Sequence, residues 1–100
     1  MKRLPPIPSA VPLPCGMVRV VRRKIAKKGQ AGTYTWAKRL ITLDADLAPV
    51  PAWLTLEHEI VHAILMDVGL KVNKHTEDVC NAIAAAKVAE MVSPKSRSRR

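Results

Sequence analysis

Residues 58–62 have the sequence HEIVH, and they lie in a stretch whose apolar residues recur every three or four positions. This spacing is typical of the buried face of a helix, and the residues that show it are Trp53, Leu56, Ile60, Ala63 and Ile64. Pro51 is tolerated in the first turn of a helix and Gly69 favours its end, so we predict a helix from Pro51 to about Val68. Any fold of this chain must therefore bury part of a helix that carries two histidines.

The two histidines have the spacing of metal ligands. Side chains four residues apart lie on one helix face, so His58 and His62 can bind the same ion. Imidazole suits zinc, and a catalytic Zn²⁺ takes three protein ligands and a water. Glu59 lies beside them, where it can take a proton from that water as a general base. The alternative interpretation is that both histidines simply lie on a solvated helix face.

The chain after His62 contains three candidates for the third ligand: Glu77, His75 and Cys80. We predict a second helix from about Thr76, on which Glu77 shares a face with Cys80 and Ala84. A carboxylate on this inward face needs a partner, and a metal ion satisfies it. His75 precedes the predicted cap, and Cys80 is expected to be a small core residue. These arguments favour Glu77, with His75 as the alternative.

The first forty residues predict extended structure. Prolines at positions 5, 6, 8, 12 and 14 exclude a helix, so we expect an extended arm over residues 1–16. Residues 17–25 and 33–43 are strand-like and flank a turn with two glycines, which predicts a β-hairpin. With the two helices, the predicted fold class is α+β. The folded domain is expected over residues 17–93, followed by a disordered basic tail over residues 94–100.

Charge and cysteine content bear on partners and compartment. The net charge is +9, although all eight acidic residues lie between Asp44 and Glu90. The basic remainder, including residues 19–28 and the tail, is compatible with nucleic acid, an acidic partner or water alone. Cys15 and Cys80 make no disulfide framework, and neither a membrane span nor a signal peptide is indicated. We therefore expect a cytoplasmic protein.

Two segments resemble the ImmA/IrrE-type and related small phage metallopeptidases: residues 54–64 (LTLEHEIVHAI) and residues 77–84 (EDVCNAIA). In that family a helix with the pattern E-x-x-A-N-x-F-A follows HExxH, and its Glu is the third zinc ligand. Glu77, Asn81 and Ala84 match this pattern, whereas Cys80 replaces the Ala and Ile83 the Phe. The strand end at residues 40–44 is also similar, so the resemblance covers residues 40–92.

The resemblance implies a gluzincin-like zinc peptidase of phage or mobile-element origin. It also implies a minimal zincin-like fold with a β-hairpin, an HExxH helix and a second helix that carries Glu77. In such folds an edge strand binds the peptide substrate by β-pairing, and residues 33–43 are the candidate here. Tyr34 and His75 are candidates for stabilising an oxyanion.

A function of another class also fits the composition. The basic segments are compatible with a nucleic-acid-binding or adaptor module in which zinc is only structural. A structural site favours four closed ligands and has no use for a base beside the metal. The presence of Glu59 therefore favours hydrolysis of a protein or peptide substrate.

Overall fold

The computed structural model describes residues 4–25 and 29–92 and consists of a four-stranded mixed sheet and two helices. In chain order the elements are β1 (Ala10–Leu13), β2 (Gly16–Arg23), β3 (Gly32–Thr35), β4 (Leu40–Asp44), α1 (Pro49–Asp67) and α2 (Lys74–Val92). The predicted α+β class is confirmed. The predicted tail, residues 94–100, lies outside the described residues.

The sheet corrects the predicted hairpin. Its strand order is β1-β2-β4-β3, with β2 parallel to β4 and the other two pairs antiparallel. The segment read as one strand over residues 33–43 is two strands, because the chain reverses at residues 36–39 and Arg39 adopts a positive φ of 45°. β4 therefore pairs with β2 directly, and β3 becomes an edge strand of the sheet.

The proline-rich segment contains β1, so at least this part of it belongs to the sheet rather than to a separate arm. β1 pairs with β2 from Ala10 opposite Arg19 to Leu13 opposite Gly16, at the other edge of the sheet. Proline is tolerated in β1 because one side of an edge strand forms no hydrogen bonds with a neighbouring strand. A residue without a backbone N–H therefore costs no hydrogen bond on that side. Further upstream, the indole nitrogen of Trp53 donates a hydrogen bond to the Pro5 carbonyl at 2.8 Å. This hydrogen bond joins the segment before β1 to α1.

The core lies between one face of the sheet and the two helices. The strands contribute the side chains of Val18, Val20, Ile41 and Leu43, and α1 contributes Leu56. Where the helices face each other the buried residues are small: Ala63 on α1, and Cys80 and Ala84 on α2. Small side chains at a contact permit a short distance between helix axes. This packing brings the first turns of α2 close to the middle of α1.

The helix ends differ by a few residues from the prediction. α1 begins at Pro49 rather than Pro51, and it ends at Asp67 before Gly69, whose φ is +83°. α2 begins at Lys74 because Asn73, not Thr76, is its cap. The Asn73 side-chain oxygen accepts a hydrogen bond from the Thr76 backbone N–H at 3.1 Å, and the Thr76 hydroxyl accepts one from the Asn73 N–H at 2.6 Å. Such reciprocal bonds satisfy amides at a helix start.

Within residues 4–25 and 29–92, no helix has both the length and the apolar character needed to cross a membrane. Both cysteines are free thiols, Cys15 exposed and Cys80 buried.

An ion pair connects the end of α1 to two turns of the sheet. Arg39 donates to both carboxylate oxygens of Asp67, at 2.9 and 3.1 Å, and also to the carbonyls of Gly16 and Met17. The Asp67 side chain is only 1% exposed. The hydrogen bonds from Arg39 hold the pKa of Asp67 below its ordinary value. This pair fixes the β3–β4 turn against the end of α1.

We predict that Arg39→Met lowers the melting temperature by several degrees at pH 7, because it leaves the Asp67 carboxylate without its cationic partner and with only the 3.3 Å hydrogen bond from the Cys15 N–H. The difference from wild type should shrink at about pH 3. Asp67 has a lowered pKa in the folded state, so its stabilising effect is complete above the ordinary Asp value of 3.8 and is lost as the pH falls through the folded-state value.

The matched control is Lys24→Met, which removes an exposed ion pair with Asp46 whose side chains are 77% and 65% exposed. Its melting temperature should change little at either pH. Equal losses in the two variants, or a loss in Arg39→Met that does not depend on pH, would contradict this account.

Candidate metal centre

The two predicted ligand histidines lie next to each other on α1, on the side that faces α2. The rings of His58 and His62 have centroids 4.6 Å apart, and their side chains are 17% and 18% exposed. Leu56 and Ala63 are fully buried in the core, and this fixes the rotation of the helix. The amphipathic spacing of α1 therefore leaves both imidazoles at the boundary between core and solvent.

Glu77, in the first turn of α2, reaches both imidazoles. One carboxylate oxygen lies 3.0 Å from His58 Nε2 and the other lies 2.7 Å from His62 Nε2. One ligand atom from each of the three residues lies within 4.8 Å of the other two. The three residues could together hold a metal ion, and they are the three that the sequence favoured as ligands.

The buried Nε2 atom of His62 supports this interpretation. It is within 2.7 Å of Glu77, yet the geometry of that contact is not that of a hydrogen bond, so the atom has no hydrogen-bond partner among the described residues. Buried polar atoms of native proteins nearly always have a partner. An ion held by His58, His62 and Glu77 would satisfy this nitrogen. The donor set of two imidazoles and one carboxylate is also one that binds catalytic zinc.

Glu59 lies beside the three ligand residues without joining them. It is 7% exposed, and its Oε1 is 3.7 Å from His62 Nδ1. Burial raises the pKa of the Glu59 carboxyl, while His62 and His58 act in the opposite direction. A buried carboxylate next to a cluster of metal-ligating groups is suited to exchanging protons with a molecule bound there.

A cleft of about 320 Å³ opens beside His58 and Glu59 of α1. It is bounded by α1, by α2 and by the segment that enters β3, and its lining residues include Gly29, Gly32, Thr55, His58, Glu59 and Asn81. A side chain on Gly32 would put its Cβ 2.7 Å from Thr55 Cγ2 and 2.9 Å from the Thr42 carbonyl oxygen. Glycine at position 32 therefore lets β3 lie close to α1.

The importance of Gly32 was missed at the sequence level. Residues 27–32 were interpreted as a turn, and both glycines were assigned to it. The signal available was that Gly32 immediately precedes the β-prone residues Thr33 and Tyr34. A glycine at the start of a strand can mark close approach of another element.

The other candidate site residues lie elsewhere. His75 is exposed in the first turn of α2 and is not in the ligand group. Cys80 is fully buried, as predicted for a core residue, and burial raises the pKa of its thiol. The buried Tyr34 hydroxyl has no hydrogen-bond partner among residues 4–25 and 29–92, and burial raises its pKa. Tyr34 does not line the cleft. This placement does not favour Tyr34 or His75 as an oxyanion stabiliser.

The basic segment after Gly16 is partly engaged within the fold. The Arg22 guanidinium donates to the carbonyls of Asp44, Ala45 and Leu47, and Lys24 pairs with Asp46 at 2.8 Å. Arg19 and Arg23 are exposed, and residues 26–28 lie outside the described part of the chain.

Comparison of the chain with protein-family models, with curated proteins and with solved structures finds no match. The resemblance to the ImmA/IrrE-type peptidases therefore remains a hypothesis based on residues 54–64 and 77–84. The ligand group itself is independent of that resemblance, because it follows from the distances between side chains of α1 and α2.

We predict that Glu77→Ala weakens zinc binding by at least about 10–100-fold, the loss typical of damage around a metal site. His75→Ala is the matched control, since His75 is a potential ligand in the same helical turn and should bind zinc like wild type. Competition titration with a chromophoric chelator measures both. Loss of zinc in His75→Ala and retention in Glu77→Ala would mean that the ligand set is wrong.

Proposed function

We propose that this chain is a zinc-dependent peptidase in which His58, His62 and Glu77 hold Zn²⁺ and Glu59 is the general base. The observation that carries the proposal is the convergence of the Glu77 carboxylate of α2 on both imidazoles of α1, beside a buried carboxylate that is not a ligand. A purely structural site would have no use for Glu59 in this position.

The zinc ion and the Glu59 carboxylate have different chemical roles in this proposal. A zinc ion held by His58, His62 and Glu77 would act as a Lewis acid, which polarises a carbonyl group and makes water more acidic. Glu59 accepts the proton that the attacking water loses and delivers it to the leaving amine. The burial of Glu59 suits this exchange, because burial disfavours the charged carboxylate and so promotes its uptake of a proton.

The cleft offers a place for an extended peptide. β3 pairs with β4 on one side, and the segment that enters it lines the cleft with His58 and Glu59. We propose that the substrate adds to the free edge of β3 by backbone hydrogen bonds, which give affinity with little dependence on sequence. Such an arrangement would be a minimal zincin-like fold, and the family resemblance adds a phage or mobile-element origin and work in the cytoplasm.

The alternative is a basic nucleic-acid-binding or adaptor module with a structural zinc. Exposed Arg19 and Arg23 on β2 favour it. Against it, neighbouring Arg22 and Lys24 are used within the fold, and the three-residue ligand group leaves a position for water or substrate. Peptide hydrolysis therefore accounts for more of the described residues.

We predict that Glu59→Gln keeps bound zinc and lowers peptide hydrolysis by at least about 10²-fold, the usual contribution of a general base. The measurement is cleavage of a fluorescence-quenched peptide library by metal-loaded protein, with zinc content determined on the same samples.

The control is Glu57→Gln, because Glu57 is equally buried on the same helix but is directed toward Lys87, at 3.9 Å, and is not in the ligand group. This variant should keep most of its activity if it is folded. Full activity in Glu59→Gln would remove Glu59 from the mechanism, and a wild-type protein that cleaves no library peptide would favour the binding module.

A further inference from the structure

Apolar side chains are exposed together where α1 ends. Trp36 of the β3–β4 turn is 55% exposed, Met66 of α1 is 39% exposed, and Leu70 and Val72 of the following loop are 55% and 37% exposed. With Gly69 and Lys71 they line a cavity of about 480 Å³. We call these four apolar residues the α1-end patch. Clustered exposed apolar side chains of this kind mark interaction sites more often than isolated ones do.

The cleft and the α1-end patch lie at opposite ends of β3. At one end of β3, Gly32 is against Thr55 of α1, and just beyond its other end Trp36 borders the same cavity as Met66. β3 and α1 therefore run side by side in the same direction. The strand covers about 13 Å from residue 32 to residue 36, and the helix covers about 16 Å from residue 55 to residue 66. His58 and His62 lie between these two ends.

Met66 continues the face of α1 that carries the ligand histidines. It follows His62 by four residues and His58 by eight, so the three side chains form one row along the helix. One helical turn, about 5–6 Å along the axis, separates His62 from Met66. An extended chain advances about 3.3 Å per residue. A peptide on the edge of β3 that crosses the metal centre therefore places a side chain over the α1-end patch about two or three residues away.

The rim of the α1-end patch is cationic. Lys71 lines the cavity, and Lys38 and Lys74 each lie two residues along the chain from a residue that lines it. All three lysines are exposed, and none of them forms an ion pair with any residue in the described ranges. The only acidic residue between positions 66 and 76 is Asp67, whose carboxylate is 1% exposed and bound by Arg39. Beyond these positions, Glu77 contacts the two histidines, and Asp78 is exposed one helical turn after Lys74. Acidic groups near this rim would be attracted, and basic groups would be repelled.

We propose that the α1-end patch is a specificity subsite, which takes a large apolar side chain of the substrate two or three residues from the cleaved bond and favours acidic residues beside it. This inference rests on the proposed function and deepens it by naming the substrate class. Trp36, Met66, Leu70 and Val72 bind the apolar side chain, and Lys38, Lys71 and Lys74 select its acidic neighbours.

The first test measures binding of a ten-residue peptide that has a central leucine flanked by glutamates. Glu59→Gln protein keeps the peptide intact, and the emission of exposed Trp36 reports binding, since Trp53 is 8% exposed and bonded to Pro5. Leu70→Ser should weaken binding by about tenfold, because it removes a large apolar contact. Replacing the peptide leucine with serine should have a similar effect. Ile83→Ser is the matched control, since Ile83 is a 40% exposed apolar residue outside both cavities.

The second test reverses the charge. Lys71→Glu should weaken binding of the glutamate-flanked peptide and strengthen binding of a lysine-flanked version of it. Added salt should weaken the wild-type interaction, because it shortens the distance over which exposed charges attract each other. That distance is about 10 Å at 0.1 M salt. With active protein, peptides that contain the acid-flanked leucine should be cut two or three residues from it.

Several outcomes would overturn the subsite. The first is no binding by the Glu59→Gln protein at millimolar peptide. The second is equal binding by Glu59→Gln protein with and without Leu70→Ser. The third is a dimer of this chain that Leu70→Ser dissociates, which would assign the patch to a second copy. Binding of the expected specificity without any cleavage would instead support the patch as a peptide site and contradict the proposed peptidase function.

Discussion

The contact of the Glu77 carboxylate with the imidazoles of His58 and His62 is the constraint on which the rest of the account depends. It joins two helices, so it requires their axes to be close, and the small residues Ala63, Cys80 and Ala84 at their contact permit this. The Asn73–Thr76 cap then starts α2 at the position that puts Glu77 in its first turn. A larger side chain at Cys80 or Ala84 would be expected to move the carboxylate away from the histidines.

The sheet contributes the other wall of the site. β4 inserts between β2 and β3 and contributes the fully buried Ile41 and Leu43 to the core, while β3 is left at the edge beside α1. Gly32 gives β3 its close approach at the start of the helix, and the Arg39–Asp67 pair holds the β3–β4 turn at the end of the helix. Cleft, ligand group and α1-end patch thus occur in that order along one strand and one helix.

Local patterns predicted the helices, and they also predicted that His58, His62 and Glu77 come together. Periodic apolar residues located α1, and the shared face of Glu77, Cys80 and Ala84 indicated which downstream residue turns toward it. The strand order could not be predicted, because alternation of residues does not reveal which strands pair. Two features of the sheet depend on contacts between distant or separate segments. The chain reversal at Arg39 is stabilised by Asp67, 28 residues away, and β1 forms by pairing with β2. The Asn73 cap was missed because Thr76 is also a residue type that caps helices.

Anomalous diffraction at the zinc absorption edge, from crystals grown with zinc, tests the central claim most directly. The account predicts one strong peak per chain within bonding distance, about 2.0–2.2 Å, of His58 Nε2, His62 Nε2 and a Glu77 carboxylate oxygen. Glu59 should lie near the peak without bonding to it. A peak coordinated by His75 or Cys80 instead of Glu77, or a site between α1 and α2 that stays empty at saturating zinc, would contradict it.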